Sequence, residues 1–274
     1  MPLGAALAQL HLFTPEPARV ADFYARNHGM ALRVAGERRL CGGPGGVIGL
    51  SPGPANQLDY ALYRFETAAD RERFESRTRA LPRAPHRAEW PADALGFVDP
   101  DGNHFVFAGP GGPAPHEGMA DVPHAVLQHF ALRSPDVERL AAFHAEGLGF
   151  TVSDRVRDDE GALKACFLRS NRLHHSLALF GAPQPCFDHH SFETGDWEDL
   201  KHWADRMGRL RTEIVWGIGR HGPGNDVFFM VRDPDGNLAE ISAEIEQCAP
   251  DRPAGAWPHE ERTLNQWGRA IMRS

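Results

Sequence analysis

Phe229-Met-Val-Arg-Asp-Pro-Asp-Gly-Asn-Leu-Ala-Glu240 lies late in the chain, and Gly96-Phe-Val-Asp-Pro-Asp-Gly-Asn-His-Phe-Val-Phe107 says nearly the same thing early in it. In both, apolar runs flank Asp-Pro-Asp-Gly-Asn. Pro presets one backbone angle and Gly accepts a positive one, so each phrase reads as strand, tight turn, strand. A bare Asp-Pro-Asp-Gly is common; its recurrence at the end of two matching stretches marks an internal repeat.

Moving outward, a second pair of phrases precedes the first. Gln9-Leu-His-Leu-Phe-Thr-Pro-Glu-Pro-Ala-Arg-Val-Ala-Asp-Phe-Tyr24 and His129-Phe-Ala-Leu-Arg-Ser-Pro-Asp-Val-Glu-Arg-Leu-Ala-Ala-Phe-His144 each read as strand, turn and helix. In the later copy Ser134 or Asp136 can cap the helix, Pro135 suits its first turn, and Val137, Leu140, Ala141 and Phe143 share a face. Gly29 and Gly147-Leu-Gly149 stop the two helices. Weaker copies begin near Leu58 and near His189, with helices over 68–81 and 196–207. The pattern predicts an α+β fold of four βαβββ modules, two per half. Gly109 to Gly118, rich in Gly and Pro, has the composition of a linker. The expected domains are 1–115 and 122–247, followed by a tail over 248–274.

With 274 residues, 42% hydrophobic and 24% charged, the chain has enough material for two full cores. Its net charge of -8 argues against a nucleic-acid partner. The first ten residues carry no basic segment and no apolar run of spanning length, so neither a signal peptide nor a membrane span is expected and the location reads as cytoplasmic. Cys41, Cys166, Cys186 and Cys248 form no CxxC pair and read as packed thiols.

Four such modules paired into two half-open barrels resemble the vicinal oxygen chelate superfamily. The stretch Gly217-Ile-Gly-Arg-His-Gly-Pro-Gly-Asn-Asp-Val-Phe-Phe-Met-Val-Arg-Asp-Pro-Asp-Gly-Asn-Leu-Ala-Glu240 is similar to its extradiol catechol dioxygenases, in which a His, an aromatic strand, an Asp-Pro-x-Gly turn and a Glu ligand follow in this order. Chemistry on O2 needs a redox metal with open positions, and two His plus one carboxylate leave three. His129, His189 and Glu240 supply that set. On the first strand His129, Ala131 and Arg133 share one face, with Phe130 and Leu132 on the other. In Asp188-His189-His190-Ser191-Phe192, choosing His189 puts His190 and Phe192 on the helix-packed face, whereas choosing His190 would bury Glu193 there. Glu240 sits in Leu238-Ala-Glu-Ile-Ser242, where a lone carboxylate is costly unless paired or metal-bound. In the first half Gln9 falls at the His129 position and Val106 at the Glu240 position, so no metal is expected there.

The resemblance implies further roles. His175, fourteen residues before His189, matches an acid–base histidine beside the metal; the sequence places it on a strand over 172–180 that pairs with Ala165 to Arg169 across a Ser170-Asn171-Arg172 turn. His174 points the other way and reads as structural. His221 matches a histidine that bonds the metal-bound substrate, and Asn225 and Asp226 lie near enough in sequence to reach the pocket. Met230 stands where the family places a Tyr whose hydroxyl bonds the substrate. Trp257 and Trp267 are candidates for a lid or an oligomer contact. The implied cofactor is Fe(II), alternatively Mn(II). The implied partners are an aromatic diol and O2, in a homo-oligomer. A non-oxidative metal-dependent isomerase or lyase, or a metal-free binding protein, are the alternatives on the same fold.

Overall fold

The computed structural model describes residues 3–43, 45–111 and 122–272. The first module comprises β1 (Ala5–Thr14), α1 (Pro17–His28), β2 (Ala31–Ala35), β3 (Arg38–Gly43) and β4 (Gly46–Pro52). The second comprises β5 (Gln57–Phe65), α2 (Ala68–Arg77), β6 (Leu95–Val98) and β7 (His104–Ala108), one strand fewer than expected. The stretch that would supply the missing strand carries Pro82, Pro85 and Pro91, and proline has no N–H to give a ladder.

The second half has both modules complete. They are β8 (Ala125–Ser134), α3 (Val137–Ala142, continued as a wider π turn over Phe143–Leu148), β9 (Thr151–Arg157), β10 (Leu163–Arg169) and β11 (Leu177–Gly181), then β12 (Cys186–Thr194), α4 (Trp197–Leu210), β13 (Ile214–Arg220), β14 (Val227–Arg232) and β15 (Leu238–Ala243). A short β16 (Gly255–Pro258) and α5 (Glu261–Leu264) follow, and β16 lies parallel to β9. The expected linker falls from residue 112 onward outside the described residues. Among the described residues no helix is long and apolar enough to cross a membrane.

Each half is one sheet, ordered β2-β3-β4-β1-β5-β7-β6 and β13-β14-β15-β12-β8-β11-β10-β9-β16. Within each, two modules meet through an antiparallel central pair, β1 with β5 and β8 with β12. The repeated turn has the same chemistry twice. Asp99 Oδ1 accepts from the N–H of Asp101 and Asn103 at 2.9 Å each, and Asp233 Oδ1 accepts from Asp235 and Asn237 at 2.9 Å each. Gly102 and Gly236 follow at φ +92°, a conformation that costs glycine little. Asp136 caps α3 through Arg139 N, and Asp196 caps α4 through Glu198 N and Asp199 N.

The hairpin around His175 differs from expectation. Leu168 pairs with Leu177, so residues 170–176 form a wide loop rather than a tight turn and the continuation of a strand. The loop's polar backbone finds partners in the chain beyond β15 instead: His174 N donates to Glu246 O at 2.9 Å and Cys248 N to Arg172 O at 2.7 Å.

The helix-side faces of both sheets share one apolar core, with Leu10, Phe107, Phe130, Leu140, Phe192 and Ile241 all buried in it. Polar bonds tie the halves as well. Arg206 on α4 donates to Asn27 O and Arg26 O at 2.9 and 2.7 Å, and Tyr24 on α1 donates to Asp233 at 3.3 Å. The opposite, concave faces carry separate smaller clusters, Tyr60, Leu62, Trp90, Val106 and Ala108 in the first half and Ala131, Phe180, Phe228 and Met230 among others in the second.

Candidate metal centre and active site

Three neighbouring strands bring the expected set together. Ser191 on β12 faces His129 on β8 and Glu240 on β15, and His189, two residues earlier, shares its face. One ligand atom from each of His129, His189 and Glu240 lies within 4.8 Å of the others. The two Nε2 atoms are 3.3 Å apart, and His129 Nε2 is 3.8 Å from Glu240 Oε1. His190 is unexposed on the other face, 5.5 Å from the ring of Tyr24.

The groups behind the imidazoles fix which nitrogen is free. His189 Nδ1 donates to Asp188 Oδ1 at 2.5 Å, and the other Asp188 oxygen accepts from Arg133 Nε at 2.6 Å. His129 Nδ1 bonds Gln128 Oε1, and Gln128 Nε2 in turn donates to the carbonyl of His175. With both Nδ1 protons committed outward, both Nε2 lone pairs converge. Glu240 is unexposed and neither of its oxygens has a hydrogen-bond partner. Such a carboxylate is costly unless a cation meets it, and a divalent ion between two imidazoles and a carboxylate answers that cost. Burial works against the Glu240 anion, yet His221 and His189 beside it hold its pKa below the ordinary value.

His175 and His221 flank this set. The His175 ring centroid is 4.3 Å from that of His129, and burial lowers its pKa. His221 Nδ1 donates to Leu264 O at 2.5 Å, its ring stacks on Phe228 at 3.7 Å, and its Nε2 is 3.7 Å from Glu240 Oε2. Burial disfavours its cation, but Glu240 and Asp226 overcome that and raise its pKa. Asp226 is unexposed with both oxygens unpartnered, and burial raises its pKa. Asn225 is exposed at φ +54° and turns away. Met230 is buried opposite Glu240 on β14.

A cavity between these groups is walled by Phe167, Ala178 and Phe180 and roofed by Pro223, Thr263 and Leu264. Sequence reading missed these walls, and it missed Gln128 and Asp188. The latter pair had left a signal, since each is a side-chain acceptor one residue before a candidate ligand. In the tail, Trp257 donates to Asp154 at 2.7 Å, whereas Trp267 is half exposed, edge-on to Trp197. In the first half the same register puts Gln9, Tyr60 and Val106 at the three ligand positions. Gln9 bonds His11 there, and Asp59 is met by Arg87 at 2.7 Å and Arg38 at 3.8 Å.

Residues 126–241 match the family described as Glyoxalase/Bleomycin resistance protein/Dioxygenase superfamily. Metapyrocatechase 2 of Cupriavidus necator is 30% identical over 236 residues, 77% of this chain and 71% of that protein. A manganese-dependent 2,3-dihydroxybiphenyl 1,2-dioxygenase of Geobacillus genomosp. 3 is 28% identical over 133 residues, 48% of this chain and 40% of that one. Homoprotocatechuate 2,3-dioxygenase of Brevibacterium fuscum, solved with 3,4-dihydroxyphenylacetate, superposes with a TM-score of 0.76 at 25% identity, covering 97% of this chain and 89% of that one. Fold, site geometry and relatives agree, and the chain belongs to the extradiol ring-cleavage dioxygenases of that superfamily.

Proposed function

We propose that the protein opens an aromatic vicinal diol with O2 at one metal ion, Fe(II) or alternatively Mn(II), held by His129, His189 and Glu240. The observation that carries this is the buried Glu240 carboxylate, without a hydrogen bond to either oxygen, facing two Nε2 lone pairs whose rings are tied from behind. The ion would hold diol and O2 side by side and pass electrons between them. His175, kept neutral by burial, accepts a proton from the diol at Nε2 and returns one later. His221 keeps its proton on Nε2 and offers it to a substrate oxygen. Phe167, Ala178 and Phe180 take the ring, and Leu264 excludes water above it. All four cysteines are free, which supports the reducing, cytoplasmic setting in which ferrous iron persists.

The test is anaerobic loading with Fe(II) and, separately, Mn(II), followed by oxygen uptake and visible spectra with mono- and bicyclic catechols. Consumption of one O2 per diol, with a coloured ring-opened product, is expected. A loaded protein that turns over none of them would sink the proposal and favour a non-oxidative reaction at the same ligands.

A further inference from the structure

Behind His175 runs a buried line of polar groups. Asp154 on β9 has an unexposed side chain, and its Oδ1 accepts from Arg252 Nη1 and Gly255 N at 3.0 Å each. Its Oδ2 accepts from Trp257 Nε1 at 2.7 Å and makes a charge contact, rather than an aligned hydrogen bond, with His174 Nε2 at 3.1 Å. The His174 ring is unexposed, and its Nδ1 is 3.1 Å from His175 Nδ1. Gly224 seals the pair from above: a Cβ there would meet His174 Nδ1 and His175 Cε1 at 3.3 Å.

We propose that Asp154 and His174 are positioning residues that fix the tautomer of His175, so that its Nε2 is presented to the site as a bare lone pair. A carboxylate oxygen 3.1 Å from His174 Nε2 repels a lone pair there and favours the proton on that atom. With the His174 ring neutral, as the proposal requires, its Nδ1 is then an acceptor. Two nitrogens at 3.1 Å need one proton between them, so His175 Nδ1 carries it and donates. Nε2 is left unprotonated, which is the form a base must have. Burial opposes the Asp154 anion, but His174, Trp257 and Arg252 hold its pKa below the ordinary value, so the group that starts the chain is charged. Three of the contacts on Asp154 come from residues 252–257, so the segment after β15 braces the line. This inference rests on His175 acting as the base in the proposed reaction, but the tautomer itself can be read without turnover.

The experiment uses the full chain labelled with 15N-histidine. In the metal-free wild type, side-chain 15N spectra should show His174 with a pyridine-type Nδ1 and His175 with a pyrrole-type Nδ1 and pyridine-type Nε2. An imidazolium at His174, or a proton on His175 Nε2, would overturn the proposal. In Asp154→Asn, the two donors Arg252 and Gly255 outweigh the single donor Trp257 and hold the amide oxygen at the Oδ1 position, leaving the NH2 group towards His174 with loss of the Trp257 hydrogen bond. Both tautomers should then invert. After metal loading, kcat should fall about 100-fold, the low end for general acid–base catalysis, with KM changed less than about threefold. Unchanged tautomers and kcat in a folded Asp154→Asn also overturn it; should that variant fail to fold, the wild-type spectrum decides alone. The predicted tautomers with no oxygen uptake on catechols would reject the dioxygenase reaction while leaving the tautomer assignment standing.

Discussion

Asp188 and Gln128 set which nitrogens of His189 and His129 face the candidate metal site. Each occupies the residue before a candidate ligand and takes that ligand's outer proton. Asp188→Asn is expected to weaken metal affinity by about 10- to 100-fold, as loss of an outer partner does, measured by chelator competition. Affinity equal to wild type would show that Asp188 does not govern the His189 lone pair. Glu240→Gln should release the ion altogether, checked by elemental analysis after desalting; a full equivalent retained would exclude Glu240 as a ligand. At this scale much was legible, because strand alternation alone separates His189 from His190. What escaped was anything set by a neighbour distant in sequence. His221 finds its acceptor at Leu264, and His174 finds Asp154, and no local pattern announces either pair.

Among elements, α5 matters out of proportion to its four residues. Thr263 and Leu264 cover a cavity of about 20 Å³, whereas a benzene-sized ring fills one of ~150 Å³. A diol therefore needs a wider site than this, and Leu264 is a wall whose side chain can be thinned. Leu264→Ala keeps the backbone carbonyl that His221 bonds but thins the roof, so kcat/KM for bicyclic relative to monocyclic diols should rise severalfold. An unchanged ratio would mean that entry is limited elsewhere. The repeated Asp-Pro-Asp-Gly-Asn turns, the capped α3 and the glycine stops could be read because each is determined within a few residues. The missing strand of the second module and the wide loop at 170–176 could not, since both depend on which distant backbone offers the better hydrogen bonds. The prolines at 82, 85 and 91 were a usable warning in the first case.

As a whole, the molecule stands on one apolar core shared by both sheets, and unfolding should be a single transition. Burial lowers the pKa of His28 to about 3 from an ordinary 6.5, with Arg206 adding to the shift. A histidine with a depressed folded pKa binds its proton more readily when unfolded, so its contribution to stability is complete above about pH 6.5 and is lost as pH drops towards 3. The slope is about 1.4 kcal/mol per pH unit for one such group. His28→Phe, placed among Phe23, Tyr24, Phe192 and Trp203, should make that acid limb shallower by this one group's slope in urea titrations between pH 4 and 6, the other buried histidines keeping theirs. A limb as steep as wild type would place the proton uptake on another buried histidine. The division into two halves was plain from the repeat, but their fusion through Arg206, Asn27 and Tyr24 was invisible in sequence, because it joins residues from 179 to 209 positions apart.

Gln9, Tyr60 and Val106 give the molecule an internal control. Both halves share one pleat and one turn chemistry, so whatever follows from sheet geometry alone occurs twice per chain, and whatever follows from the ligand set occurs once. Titration with a spectroscopic ion such as Co(II) should therefore end sharply at one equivalent per polypeptide, with a single set of d–d bands. Placing histidine at 9 and 60 and glutamate at 106 asks whether the first half lacks only ligands or, with Arg38 and Arg87 gathered around Asp59, also the electrostatic setting a cation needs.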